Sequence, residues 1–278
     1  GMFGMDAQAV TGFIIEGVQG PMARNVRDCA LFLDAMSGFE PACPHSYPAP
    51  ETPFEDAVLQ ASDKVRIGFA PDLNGFSPVE PEIDAALRAA LGLIEKNGGT
   101  VDEACPDLDG LERSYHTLRG IMWASAFKYT PDEITRHFKD TLRENTEFGL
   151  ALTMDDITEA QLNRSKLYQT MRGFLDSHDV LACPTVGNMP RPQAVEWVPE
   201  VNGVALSGYM DWLRFAFLAT VTSLPAISVP VGLSNGVPVG LQLIGPPRGE
   251  AKLLAVAQAV ENAVGGPLGP IDPNVTHL

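Results

Sequence analysis

The chain is short of positive charge. Only 19 Lys and Arg stand against 35 Asp and Glu, a formal net charge of −16. A surface this acidic repels phosphate backbones and anionic head groups, which argues against nucleic-acid or membrane-surface partners. Long apolar runs are missing too: no stretch of about 18 uninterrupted apolar residues occurs, so no membrane-spanning helix is expected. Cysteine is scarce. Cys29, Cys43, Cys105 and Cys183 form no C-x-x-C pair and lie near no histidine at ligand spacing, so free, reduced thiols are expected. No basic segment leads into an apolar stretch near the start, so the expected location is cytoplasmic. Gly1 ahead of Met2 reads as the remnant of a cleaved expression tag.

Chemical signatures are also lacking. There is no G-x-G-x-x-G, no Walker phosphate loop and no G-x-S-x-G elbow. Gly232, Gly236 and Gly240 flank a proline-containing turn and read as part of a hairpin. His45, His116, His137, His178 and His277 show no metal-ligand spacing, so neither metal nor cofactor is expected. Ser165 and Lys166 adjoin on a helix, where neighbouring side chains point about 100° apart, which argues against a catalytic pair. Asp155 and Asp156 follow Thr153 and read as a helix cap rather than a carboxylate pair.

What is present fits one folded α/β unit. The 278 residues are 45% apolar and 19% charged, enough for a sizeable core. The expectation is a single α/β domain over 1–278, a mixed sheet flanked by helices, with long loops at 41–63 and 186–205. Asn25 caps a predicted helix from Val26 to about Ser37, with Val26, Cys29, Ala30, Leu33 and Met36 on one face and Gly38 as its stop. Residues 41–53 hold five prolines and read as an extended connection. Residues 64–70 alternate as a strand. Pro81 opens a helix that buries Ile83, Ala86, Leu87, Ala90, Leu91 and Ile94. Gly98 and Gly99 end it, and Thr100-Val101 begins the next strand. Strand, helix, strand in that order predicts a parallel crossover. Further helices are predicted over 111–137, 157–177, 209–222 and 250–264. Strands are predicted over 180–183, 226–229 and 237–244.

Two stretches carry a family resemblance. The first is Val18-Gln19-Gly20-Pro21-Met22-Ala23-Arg24-Asn25-Val26-Arg27-Asp28, continuing through Ala30-Leu31-Phe32-Leu33-Asp34. The second is Leu224-Pro225-Ala226-Ile227-Ser228-Val229-Pro230-Val231-Gly232, followed by Gly236-Val237-Pro238-Val239-Gly240-Leu241-Gln242-Leu243-Ile244-Gly245. Both resemble the amidase signature family, in the family's order. Val180-Leu181-Ala182-Cys183-Pro184-Thr185, with Asp179 before it, is similar to the family's "D-x-L-L-x-P-T" strand. The likeness runs from about Gly12 to Val264 and implies a partial amidase-signature fold and hydrolysis of a carboxylic amide.

The resemblance also implies a Ser-cisSer-Lys triad, whose three members lie upstream of the Gly-Pro-Met-Ala-Arg motif in the family. Here that motif starts at Gly20, so no catalytic residue is assigned within the chain, and the chain alone is expected to be inactive. A small amide would be its substrate if a catalytic half were supplied. The alternatives are a non-catalytic binding remnant or one half of a split enzyme completed in trans. Thr220 and Ser223 replace the Asn and Gly of the family's "N-x-T-G-x-P-A" segment, which suggests an altered helix-to-strand turn and a lost polar anchor. In the family the helix carrying Trp212, Phe215 and Phe217 runs near the acyl pocket, so these three are candidate substrate contacts, with core packing as the other reading. Arg24 and Asp28 are spaced for a structural ion pair. A homodimer is expected to cover apolar surface left bare.

Overall fold

The computed structural model describes residues 13–267. Helix α1 (Val26–Met36) follows Asn25, whose side chain accepts from the Asp28 N–H at 2.7 Å. It ends without help from Gly38: Ser37 is extended, and its hydroxyl bonds the Leu33 carbonyl at 2.8 Å. The proline-rich loop is interrupted by a short helix, α2 (Phe54–Leu59), whose first N–H groups of Phe54 and Glu55 are held by the Asp34 carboxylate. The 41–63 segment is therefore not all loop.

Strand β1 (Arg66–Phe69), helix α3 (Pro81–Lys96) and strand β2 (Thr100–Glu103) form the expected parallel unit, with Ile67 opposite Val101. Pro81 sits in the first turn of α3, and Gly98 ends the unit's helix at φ +103°, a conformation open to glycine. Ile83, Leu87, Ala90, Leu91 and Ile94 are buried against the sheet.

The predicted helix over 111–137 is broken. Helix α4 (Leu111–Phe127) stops ahead of Pro131, which disfavours helical geometry at the preceding residue and opens a short turn, α5 (Asp132–Thr135). A further helix, α6 (Asp140–Ala151), occupies a stretch where no element was expected. It packs tightly on α4: a side-chain carbon on Gly149 would collide with the Gly120 carbonyl. Helix α7 (Met154–Ser177) starts with the expected cap, Thr153 and Asp156 bonding each other's backbone.

Strand β3 (Val180–Pro184) is buried at every position. The next loop contains a small hairpin, β4 (Glu200–Val201) and β5 (Val204–Ala205), turned by Asn202 at φ +48° and Gly203 at φ +77°. Residues 209–222 are not one α-helix. A 3-10 turn over Asp211–Ala216 leads into α8 (Phe217–Thr222). Strands β6 (Ala226–Ser234) and β7 (Val237–Ile244) form the expected hairpin, and α9 (Glu250–Ala263) closes the described fold.

The sheet has five strands in the order β2-β1-β3-β7-β6. β1 pairs with β2 and β3 in parallel, whereas β3, β7 and β6 pair antiparallel. One face packs Ile67, Phe69, Val180, Ala182, Val229 and Leu241 under α1, α2, α3 and α9. The other packs Leu181, Cys183 and Ile244 under α4, α7 and α8. Among the described residues no helix is long and apolar enough to cross a membrane.

Asp179 ties the parallel half to α9. Its carboxylate takes the Arg66 N–H at 2.8 Å, the Arg66 guanidinium at 2.9 Å and the Lys252 ammonium at 2.8 Å. Burial alone would push this carboxyl up, but the bonds from Arg66 and Lys252 overcome it and hold it at about 2. The folded chain therefore binds this proton more weakly than the unfolded chain. Its contribution is full above the ordinary carboxylate value of 3.8 and is lost as pH falls through about 2. Asp179→Asn is expected to lower stability at neutral pH by up to about 2 kcal/mol. It should also flatten the acid limb of the stability profile, which chemical denaturation at a series of pH values measures.

Candidate functional site

A groove of about 710 Å³ opens among the described residues. One wall is the irregular segment from Ile15 to Asn25 with the start of α1; the other is the end of α8, the turn into β6, and β6 as far as Pro230. The two motif stretches, from opposite ends of the chain, therefore meet across one space. Its lining is mainly apolar, with Ile15, Val18, Met22, Leu224, Ile227 and Leu253 among the contributors.

Long-range polar contacts hold the first wall. Arg164 on α7 pairs with Glu16 at 2.8 Å and donates to the Ser223 hydroxyl at 3.0 Å. The Arg164–Glu16 pair is largely buried, at 17% and 10% side-chain exposure, so it is only weakly screened. Glu261 on α9 accepts the Val26 N–H at 3.0 Å and so satisfies one of the free donors at the start of α1. Burial pushes the Glu261 carboxyl up, against the pull of the Val26 and Gln258 hydrogen bonds.

The second wall turns at Ser223, which closes α8 in the left-handed conformation at φ +53°. A non-glycine residue there carries a cost of about 1 kcal/mol, and the bond from Arg164 gives the serine a partner in return. Ser223, which stands where the family pattern has glycine, thus occupies a left-handed position. The Thr220 hydroxyl bonds the Ala216 carbonyl within its own helix. The Ser228 hydroxyl lies 2.6 Å from that of Thr185, a contact that fits only because residue 240 is glycine: an added carbon there would stand 2.7 Å from both oxygens. The Cys29 thiol is pushed up by burial and so stays protonated. Among the described residues lining the groove there is no lysine and no histidine.

The candidate substrate contacts lie elsewhere. Phe215 and Phe217 are fully buried in the core layer under α4 and α7, with Phe217 stacked on Tyr115 at 3.5 Å between ring centroids. Trp212 packs on Val198, Val201 and Leu206. None of the three lines the groove; Ala216, Ala219 and Thr220 do so from the same stretch. Phe215 serves the sheet instead, its carbonyl accepting the buried Gln242 amide at 2.8 Å. Arg24 does line the groove, but no Arg24–Asp28 ion pair forms. Arg24 precedes the cap of α1, so helical i,i+4 spacing does not apply to it, and the Asp28 carboxylate takes the Asn25 amide at 2.8 Å.

One cluster has the composition of a metal site: Glu112, His116 and Asp211. It already contains a cation. Arg214 bonds Glu112 at 2.7 Å and lies 3.5 Å from Asp211, whose other oxygen takes the Ser207 and Gly208 backbone. Burial lowers the His116 pKa, although Glu112 and Asp211 oppose this.

The Arg164–Glu16 contact, 148 residues apart in sequence, was invisible to sequence reading. Neither residue belongs to a quoted motif. The replacement of glycine by Ser223 was the only local signal at this junction.

A family model described as Amidase matches residues 8–254. The chain is 31% identical over 250 residues to an acylamidase of Rhodococcus erythropolis, covering 87% of this chain and 51% of that protein. It is 29% identical over 248 residues to an amidase of Pseudomonas putida, covering 88% of this chain and 52% of that protein. The crystal structure of a bacterial aryl acylamidase of the amidase signature family superposes with a TM-score of 0.81 at 23% identity, over 95% of this chain and 58% of that one. The chain spans about half the length of the curated relatives it matches.

Arg164→Met should release the groove's first wall while leaving the sheet intact. Loss of a charged hydrogen-bonded contact is expected to cost roughly 1.5–3 kcal/mol of local opening free energy. Amide exchange at Ile15, whose N–H bonds the Glu16 carboxylate, should speed up while exchange in β3 stays unchanged.

Proposed function

Because the chain belongs to the Amidase family, we propose that it serves hydrolysis of a carboxylic amide C–N bond, with the reacting serine and lysine supplied from outside residues 1–278. The observation that carries this reading is the meeting of the two family-like stretches across one groove. The groove's hydroxyls support the second half of it. Thr220, Ser223 and Ser228 are each engaged with a carbonyl, a guanidinium or another hydroxyl, and none stands beside a basic side chain that could take its proton.

In the reaction the resemblance implies, the nucleophilic serine oxygen attacks the amide carbonyl. Its proton passes through the bridging serine to the lysine, and backbone N–H groups hold the oxyanion. The C–N bond breaks, the amine leaves with the proton, and water then cleaves the acyl-serine to release the acid. The present chain would contribute the wall against which the amide lies. Its apolar lining suits the organic part of a small amide. A second reading, a non-catalytic binder, is favoured by Thr220 and Ser223 standing where the family pattern has Asn and Gly.

A small panel of aliphatic and aryl amides separates the two. The chain alone is expected to show no turnover. Adding a polypeptide that carries the glycine- and serine-rich stretch and its upstream lysine should produce turnover that disappears when the nucleophilic serine is replaced. Hydrolysis by the chain alone would overturn the proposal. Absence of turnover with the complement would favour the binder.

A further inference from the structure

We propose that the side chains of Ser228 and Gln242 form a polar floor in the groove that takes a primary carboxamide, one hydroxyl donating to its C=O and one amide oxygen accepting from its NH2. The inference rests on the reading of the groove as the place where an amide lies, and it adds which amide lies there.

The two residues stand side by side in the sheet. Ser228 on β6 is the register partner of Gln242 on β7, and Gln242 in turn stands opposite Cys183 on β3. The Gly245 N–H bonds the Pro225 carbonyl at 2.9 Å. Hydrogen-bonded and non-hydrogen-bonded pairs alternate from there, so Ile227 and Val229 bond across to β7 and Ser228 with Gln242 is a non-hydrogen-bonded pair. Pairs of that kind bring their side chains closest, with the first side-chain carbons about 4.5–5.5 Å apart. Val229, Leu241 and Leu243 point into the core layer under α1, α2, α3 and α9. Ser228 and Gln242 therefore project from the opposite face, and both line the groove.

Their other contacts fix what each one offers. The Gln242 side-chain nitrogen donates to the Phe215 carbonyl at 2.8 Å and to the Cys183 thiol at 3.1 Å. One carbonyl oxygen cannot bond another, so the Phe215 contact decides which end of the side chain is nitrogen. The oxygen is left over. Among the described residues no donor reaches Gln242 Oε1, yet this atom is not sealed from solvent, and the opening beside Gln242 is the groove. The Ser228 hydroxyl lies 2.6 Å from that of Thr185, with a single proton between them. Thr185 does not line the groove. Donation from Thr185 to Ser228 leaves the Ser228 proton for the open side.

A free donor beside a free acceptor matches one edge of a primary carboxamide, where the C=O and one N–H lie on the same side. A trans secondary amide presents them on opposite sides and can satisfy only one of the two partners. This argues against the backbone of another polypeptide stretch as the occupant, since its peptide groups are trans. A tertiary amide or an ester keeps the C=O but sets a methyl group or an oxygen against Oε1. That atom then loses water and gains no donor, and an acceptor so covered is costly. Both floor groups are neutral, which suits a neutral ligand, and the apolar side chains of the groove suit the ligand's organic part.

Titration of the full chain with benzamide, N-methylbenzamide, N,N-dimethylbenzamide and methyl benzoate, followed by NMR, tests the floor. Benzamide is expected to shift the Gln242 side-chain and Ser228 backbone signals and to bind at least about tenfold more tightly than the other three. Ser228→Ala removes the donor that every carbonyl in the series uses. It should weaken benzamide about fivefold while the preference over the dimethyl amide persists. A melting temperature close to that of the parent chain would show that this variant keeps its fold. Gln242→Met would break two inner bonds as well, so the ligand series on the unaltered chain decides the matter. Equal affinity across the series, or shifts confined to residues away from Ser228 and Gln242, would overturn the proposal. Binding by none of the four would overturn it too, and would assign the pair to a side-chain amide of chain outside residues 13–267. Turnover with the catalytic complement alongside an equal-affinity series would sink this inference and leave the proposed hydrolysis standing. A benzamide preference without turnover would support the inference and favour the binder.

Discussion

Strand β3 is the element on which the rest of the structure depends. It pairs with β1 in parallel on one edge and with β7 antiparallel on the other, and all five of its residues are buried. Both core layers press on it: Val180 and Ala182 face one, Leu181 and Cys183 the other. A strand in this position has no polar alternative, because every backbone group must find its partner in the sheet. Asp179, just outside the buried run, fixes where the strand begins by binding Arg66 at the start of β1 and Lys252 on α9. β3 joins the crossover unit and the hairpin unit into one sheet, and α3 packs across both.

The groove is held differently. Its first wall has no regular structure before α1, and contacts from distant elements keep it in place. Arg164 reaches it from α7 and Glu261 from α9. Both contacts involve a charged group with little access to solvent, so each is worth more than a surface ion pair and costs more to leave unpaired. Ser223 joins the two walls, since its left-handed turn directs β6 and its hydroxyl accepts from the same Arg164 that binds Glu16. The groove's shape is thus set by a few polar contacts at its rim, whereas the sheet is set by apolar packing.

This difference explains what sequence reading could see. The β1-α3-β2 unit, β3 and the β6–β7 hairpin were legible because apolar periodicity, Pro81, Gly98 and the glycines at 232, 236 and 240 are local signals. The cap at Thr153 was legible for the same reason. The division of residues 209–222 was not, because Asp211 organises it by folding back onto Ser207 and Gly208, a tertiary choice that periodicity does not record. Helix α6 was missed because a single buried position, Thr146, gives it almost no apolar stripe. At the site, the two motif stretches were visible and their meeting place was not. Phe215 and Phe217 looked like pocket residues because aromatic side chains serve pockets and cores alike, and burial alone separates the two.

The pairing of β1 with β3 has a consequence for how the chain reaches this structure. Arg66 and Asp179 are 113 residues apart, and α3 to α7 all lie between them. The entropy of closing so long a loop grows only logarithmically with its length, so the equilibrium penalty is modest. The kinetic effect is larger, because contacts distant in sequence slow folding far more than they weaken the folded state. Until β1 and β3 meet, both strands expose apolar faces to other chains. The same wide separation that lets β3 unite the sheet therefore slows the chain's folding and lengthens the time for which these apolar strands stay open to association.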